Sequence, residues 1–293
     1  MKGLIIISLL FILSAPFACK DNSAAGKDEF VIVASFYPIY IIAKNVVYNI
    51  NGVRLVNMTS SDMGCLHDYS VTAEDMKNLK QADVFLINGA GMETFIDKIA
   101  GGYPPAKTFE LSEGIKLIDD GNNKNPHIWM SVSNVIIMVR NCVDALCQAD
   151  IKNSESYKKN GDAYIRELND LKAEMDEELK KIKGEKIITF HEAFAYFAKD
   201  YDLTISAVVE HNPGMEPSAK ELADLIDAVA RLKIKYIFAE PQYSSFAAEI
   251  VAKETGAKTL ILDPIVTGPD DRTAYIKSMK KNTSVLAGAF GGK

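Results

Sequence analysis

Three of the four histidines and one aspartate occupy comparable places in this 293-residue sequence. His67 follows the strand-like stretch 53–58, His127 follows Asn125-Pro126, His191 comes directly after KIITF, and Asp263 directly after TLIL. The separations of 60, 64 and 72 residues put two candidates in each half of the chain. Three imidazoles and a carboxylate make a borderline-soft donor set that suits zinc, in tetrahedral geometry with nitrogen at about 2.0–2.1 Å. A lone histidine is more often a hydrogen-bonded side chain, and His211, in EHNPGMEPS, is read that way.

The same residue types also build zinc hydrolases, in which one coordination position stays open for water. His191-Glu192 opens an HExxH pattern, but its second histidine would fall on Ala195. His67-Asp68 matches an HD dyad over two residues only, and neither a GxSxG nucleophile nor a phosphate-cradling Gly-rich loop occurs. Four protein ligands would leave the ion no open position, as a carrier requires. A zinc-dependent hydrolase and a surface adhesin are the alternatives from other classes.

Open α/β sheets bind ligands beyond the carboxyl ends of their strands, so two facing lobes would bring the four side chains into one cleft. The sequence reads accordingly. Strands are expected at 30–35, 53–58, 83–88, 107–111 and 115–118, and helices at 39–50, from Thr72 to near Gln81, and at 133–150. Thr72 with Asp75 three residues on is a capping-box signature. From 154 to 183 there is no proline, and Tyr164, Ile165, Leu168, Leu171, Met175 and Leu179 recur at helical spacing. This predicts one long amphipathic helix closed by Gly184, its apolar stripe too irregular for a coiled-coil arm. Strands then alternate with helices again: strands at 186–190, 204–209, 235–239 and 259–262, helices at 193–201, 219–232, 244–255 and 272–286.

Composition agrees with a large globular chain. Hydrophobic residues make up 48% and charged residues 25%, far from the signature of disorder. A net charge of −6 argues against nucleic acid as a partner. A cationic start, the apolar run 4–13 and a small-residue stretch ending at Ala18 predict a secretory signal too short to span a bilayer comfortably. Ala18-Cys19 resembles the lipobox of bacterial lipoproteins, although Pro16 stands where that pattern usually has Leu, and KDNSAAGK has the composition of a flexible tether. The expected organisation is signal peptide 1–18, lipidated tether 19–28, an N-terminal metal-binding lobe 29–152, a connecting helix 153–184 and a C-terminal metal-binding lobe 185–293. Cys65, Cys142 and Cys147 form no CxxC pair; the last two are expected as small core residues.

The segments ASFYPIY, HDYSVTAEDMKNLKQADVFLINGAGMETFI, NPHIWMSVSN, HEAFAYFAKDY, EPSAKELADLI, IFAEPQYSS and LDP occur in order over nearly the whole mature chain. Together they resemble the zinc/manganese solute-binding proteins of bacterial ABC importers, the cluster A-I group. The resemblance implies an α/β fold of two lobes, each a parallel four-stranded sheet flanked by helices, joined by one long rigid helix. It implies metal ligands at His67, His127, His191 and Asp263, zinc as the transported ion with manganese or iron as the alternative, and delivery to a membrane permease. The expected protein is an extracytoplasmic monomer, held to the membrane through Cys19, and not an enzyme. It departs from the family pattern in having Leu66, not Pro, before the first histidine, with Cys65 upstream, and Ser70 in place of a common acidic residue. The stretch DDGNNK at 119–124 carries none of the histidines that zinc-specific members often insert there.

Overall fold

The run FVIVA is buried from its second residue onward, so this strand must be covered on both faces, as the inner strands of parallel sheets are. The computed structural model describes residues 29–59, 66, 69–96, 107–119, 124–209, 217–242 and 246–291. The expected signal peptide, lipobox cysteine Cys19, tether, Cys65, His67 and His211 lie outside these residues.

The first half contains β1 (Phe30–Ala34), α1 (Tyr37–Val46), β2 (Val53–Asn57), α2 (Ala73–Gln81), β3 (Val84–Ile87), β4 (Lys107–Glu110) and α3 (Val132–Ala149). Its sheet has the order β2-β1-β3-β4, all parallel. Helix α4 (Ser154–Leu179) follows, and then β5 (Lys186–Thr189), α5 (Ala195–Asp200), β6 (Thr204–Val208), α6 (Ala219–Leu232), β7 (Tyr236–Ala239), α7 (Phe246–Thr255), β8 (Lys258–Ile261) and α8 (Ala274–Phe290). The second sheet repeats the first, with the order β6-β5-β7-β8, again parallel. In each sheet the chain steps to one side of the first strand and then to the other. The crevices past the ends of β1/β3 and of β5/β7 are therefore the two topological switch points, where such sheets bind ligands.

Local signals explain several boundaries. Thr72 Oγ1 accepts from the Asp75 amide while the Asp75 carboxylate accepts from the Thr72 amide, closing the capping box of α2. Ser218 and Glu221 do the same for α6. Helix α1 has Pro38 in its first turn and ends at Val46, short of residue 50, because Asn49 and Gly52 turn the chain at positive φ. The strand expected at 115–118 does not form. Ile115 buries its side chain, and the Ile118 amide donates to Tyr196 Oη at 3.1 Å, so this stretch joins the halves and adds no fifth strand.

Helix α4 buries Tyr157, Gly161, Tyr164, Leu168, Leu171, Met175 and Leu179, one residue per turn along a single stripe. At 1.5 Å per residue its 26 residues run roughly 39 Å. The α-helix stops at Leu179, and a 3-10 turn (Lys180–Ile182) tightens the end before Gly184 reverses at φ +78°. The helix packs on α3 and α1 of the first half and on α8 of the second. At its start, Asn160 Nδ2 donates to the carbonyls of Val46 and Tyr48, tying it to the end of α1.

The hydrophobic core does not divide where the sheets do. One large cluster runs from the first sheet through α3, α4 and α8 onto residues of α5, β5, β7 and Leu262. A smaller one, including Ile188, Leu225, Val229, Ile237, Ala248 and Val251, lies beneath α6 and α7 on the other face of the second sheet. Among the described residues, no helix is long and apolar enough to cross a membrane.

Candidate metal centre at the two switch points

His191 follows β5 in extended conformation, 1% exposed, at the crevice where Glu240 follows β7. His191 Nδ1 stands 3.8 Å from Glu240 Oε1, and Gln242 Nε2 donates to Glu240 Oε2 at 2.7 Å. Glu240 is 2% exposed, so its carboxylate faces the Nδ1 side of the His191 ring in a desolvated setting.

The first half supplies His127, fully buried, at the start of a 3-10 turn (Ile128–Met130). Asn125 Oδ1 accepts from the His127 amide at 3.0 Å and lies 3.0 Å from its Nδ1. Asn125 Oδ1 can only accept, so this contact suits a ring proton on Nδ1 and a lone pair on Nε2, the atom that could meet a metal. The two imidazoles meet edge to face, with centroids 4.5 Å apart.

Asn125 also joins the halves. Its Nδ2 donates to the Glu192 carbonyl at 3.1 Å, and its own carbonyl accepts from Tyr196 Oη at 2.8 Å. Asn88, at the end of β3, donates from Nδ2 to the Pro126 carbonyl at 3.0 Å, which holds the His127 loop over the first switch point. Beneath it lies Glu93, whose carboxylate accepts from Ser35 Oγ and from the Asn88 and Gly89 amides at 2.7–3.0 Å. Burial pushes the Glu93 carboxyl up to about 7, against these three donors, which pull it down.

Asp263 follows β8 and is placed differently. Its Oδ1 accepts from the Ile265 amide at 2.8 Å and its Oδ2 from Ser278 Oγ at 3.0 Å. Asn282, 1% exposed, clamps its backbone through bonds to the amide and carbonyl at 2.8 and 2.7 Å. Burial raises the Asp263 carboxyl above its ordinary range, with the Ile265 amide, Ser278 and Lys281 opposing. Among the described residues, the metal-competent cluster is His127, His191 and Glu192, with donor atoms all within 4.8 Å of one another. Asp263 stands outside it.

The loop after Asp263 reaches across to the first half. Trp129 Nε1 donates to the Pro264 carbonyl, and Tyr275 Oη to the Trp129 carbonyl, both at 2.8 Å. Tyr37 Oη donates to the Pro269 carbonyl at 2.9 Å, and Tyr40 and Lys44 both reach the Asp270 carboxylate at 2.6 Å. Gly268 is required because a Cβ there would collide with the Tyr37 hydroxyl. Ile265 is held at φ +59°, a costly conformation for a β-branched residue, next to the candidate ligand.

Of the four ligands expected from the sequence, His127 and His191 are brought together, Asp263 lies outside that cluster and His67 lies outside the described residues; the side chains that surround them were not singled out. Asn125, Trp129 and Glu240 were visible only as letters within NPHIW and FAEPQ; Ser278 and Asn282 carried no signal beyond the pattern of the last helix. Cys142 is buried in the core as expected, whereas Cys147 is half-buried with Sγ on the Ser154 carbonyl at 3.5 Å.

Residues 32–289 match the family model described as zinc-uptake complex component A, periplasmic. The chain belongs to that family. A ZnuA relative, the high-affinity zinc uptake system protein ZnuA of Bacillus subtilis, is 32% identical over 97% of this chain and 96% of its own. The zinc-binding protein AdcA of Streptococcus pyogenes is 28% identical over 97% of this chain, which spans 61% of AdcA's length. Among solved structures, the SBP FpvC of Pseudomonas aeruginosa in complex with Ni2+ superposes with a TM-score of 0.81 at 27% identity, over 90% of this chain and 97% of that one. Zn(II)-bound AdcA from Streptococcus pneumoniae gives a TM-score of 0.79 at 30% identity, over 90% of this chain and 58% of AdcA. Two parallel four-stranded sheets with a long helix between them are thus the shared architecture of the ZnuA family and this chain.

Proposed function

We propose that this ZnuA-family chain captures a zinc ion between its two lobes through His67, His127, His191 and Asp263, and delivers it to the membrane permease of an ABC importer. The observation that carries this reading is the pair of buried imidazoles, one from each half of the chain, 4.5 Å apart, with Asn125 on the His127 Nδ1 and the Glu240 carboxylate 3.8 Å from the His191 Nδ1. Two imidazoles so close can share one ion, and Asn125 holds the His127 ring for it. Asp263 follows β8, separated in the sheet from β5 by β7, and would supply a hard oxygen donor, while His67 would complete a tetrahedral set. A closed set of four protein ligands leaves no position for an activated water, which supports transport and not hydrolysis.

Manganese or iron as cargo is the alternative within the same family reading. Anchoring through a lipid on Cys19, an extracytoplasmic location and a monomeric state complete the proposal, supported by the Ala18-Cys19 junction and the polar stretch after it. Calorimetric titration of the chelator-stripped full chain should give one zinc site. His127→Ala and His191→Ala should each weaken it by more than about a hundredfold, since a direct ligand contributes at least as much as the partners that orient it. Unchanged affinity in both variants would remove the assignment.

A further inference from the structure

The last helix commits two polar side chains to one residue of the loop before it. Ser278 and Asn282 stand one turn apart on the same face of α8. Asn282 is 1% exposed, at a helix position where an apolar residue would cost less to bury, and both ends of its carboxamide go to Asp263. Its Oδ1 accepts from the Asp263 amide at 2.8 Å, and its Nδ2 donates to the Asp263 carbonyl at 2.7 Å. Ser278 Oγ donates to Asp263 Oδ2 at 3.0 Å, and the Ile265 amide to Oδ1 at 2.8 Å. All four polar atoms of Asp263 are thus held, each by a residue of the second half. A carboxylate has about four acceptor sites, so one hydrogen bond on each oxygen leaves both able to coordinate. Helix α8 is itself a firm support, since it packs on α4, and Lys280 Nζ reaches the Glu174 carboxylate of that helix at 2.5 Å. A loop residue clamped by a packed helix is arranged as metal-binding carboxylates are, with hydrogen-bonded partners that fix their orientation.

We infer that Ser278 and Asn282 are positioning residues for zinc capture: Asn282 fixes the backbone of Asp263, Ser278 together with the Ile265 amide fixes the plane of its carboxylate, and these bonds persist when the ion binds. This rests on the carrier reading above, with Asp263 as a ligand, and adds the residues that prepare it. Because Asp263 is oriented before the ion arrives, ordering its side chain is not a cost of binding. The two residues divide the task. Ser278 acts on the carboxylate, and Ala is the better helix former, so Ser278→Ala should lose zinc affinity with little change in the stability of the metal-free protein. Asn282→Ala takes away the partners of the Asp263 amide and carbonyl and should lose both affinity and stability.

Zinc titration of the chelator-stripped full chain against a competing dye, with thermal melts of the same samples, tests this. Ser278→Ala should weaken zinc binding by about tenfold or more, the usual worth of a partner that orients a ligand, and Ser278→Thr should restore most of it. In an Asp263→Ala background the same Ser278→Ala change should have no further effect, because its action passes through the carboxylate. With Co(II) as probe, the visible spectrum of the bound ion should shift in Ser278→Ala and return in Ser278→Thr. Wild-type zinc affinity in Ser278→Ala would overturn the inference, as would an equal loss in the Asp263→Ala background. Tighter binding in Ser278→Ala would also overturn it, since the hydroxyl would then be holding Asp263 away from the ion. Wild-type affinity in Asp263→Ala would instead remove Asp263 from the ligand set proposed above, and the inference with it.

Discussion

Trp129 and Pro264 are joined by a 2.8 Å hydrogen bond from indole Nε1 to carbonyl oxygen, each one or two residues from a candidate metal ligand, His127 and Asp263. Trp129 is fully buried and packs edge-on against Phe36 at 5.1 Å, so the bond is shielded from water. It ties the β8–α8 loop, part of the second half in sequence, to the first half in space. Replacing Trp129 by Phe keeps an aromatic ring but removes the donor and leaves the Pro264 carbonyl without it. The expected cost is about 2 kcal/mol, from the lost bond plus some lost packing, together with weaker zinc binding. Denaturant melts and zinc titration of the variant check both.

Metal binding should alter the overall shape little. Helix α4 is continuous across both halves, and the loop after Asp263 is fastened to α1 by Tyr37, Tyr40 and Lys44. Such a frame permits small tilts and loop rearrangement but not wide hinge closure. Solution scattering with and without zinc should give nearly equal radii of gyration; a large decrease on binding would contradict this.

Gly161 is a packing requirement. A Cβ at this position would collide with Val143 Cγ2, where α4 crosses α3. Gly161→Ala therefore should destabilise the fold by about 1–3 kcal/mol despite the better helix propensity of Ala, as overpacked cores do. Combining it with Val143→Ala should restore part of the loss, which a double-mutant cycle on thermal melts would measure.

Glu93 gives a pH dependence with a definite sign. Its carboxyl is raised by burial from an ordinary 4.5 to about 7, so the native state holds the proton more tightly than the unfolded chain. The stability this supplies is complete below pH 4.5 and is lost as pH rises through 7, about 3 kcal/mol in all. Glu93→Gln cannot ionise and should show a shallower decline over that window. Equal slopes for the two proteins in denaturant titrations between pH 4.5 and 7 would refute the assignment.

Cargo preference is tested at His191. Nitrogen donors favour zinc, and a carboxylate at this position would favour a harder ion. His191→Glu should narrow the zinc-over-manganese affinity ratio, whereas His211→Ala should leave it alone. Competition titrations on the two variants decide between them. Both metals should bind more weakly below about pH 6.5, where imidazole takes up a proton.

The sequence by itself determined the elements and the candidate ligands. The run FVIVA is apolar at every position because inner parallel strands are covered on both faces, and the stripe of α4 shows because a helix buries one side. Capping boxes at Thr72 and Ser218 are local chemistry, complete within four residues. His127, His191 and Asp263 stood out because few residue types ligate a metal and each follows a strand or a turn. Only the tertiary structure decided what surrounds them. The stretch 115–118 has strand-forming residues, yet the Ile118 amide goes to Tyr196, 78 residues away, and no local pattern encodes that choice. The bonds from Asn125 to Glu192, from Trp129 to Pro264 and from Ser278 to Asp263 likewise join residues distant in sequence. That Glu192 stands with the paired imidazoles while Asp263 is held by Ser278 is likewise set between elements that meet only when the chain has folded.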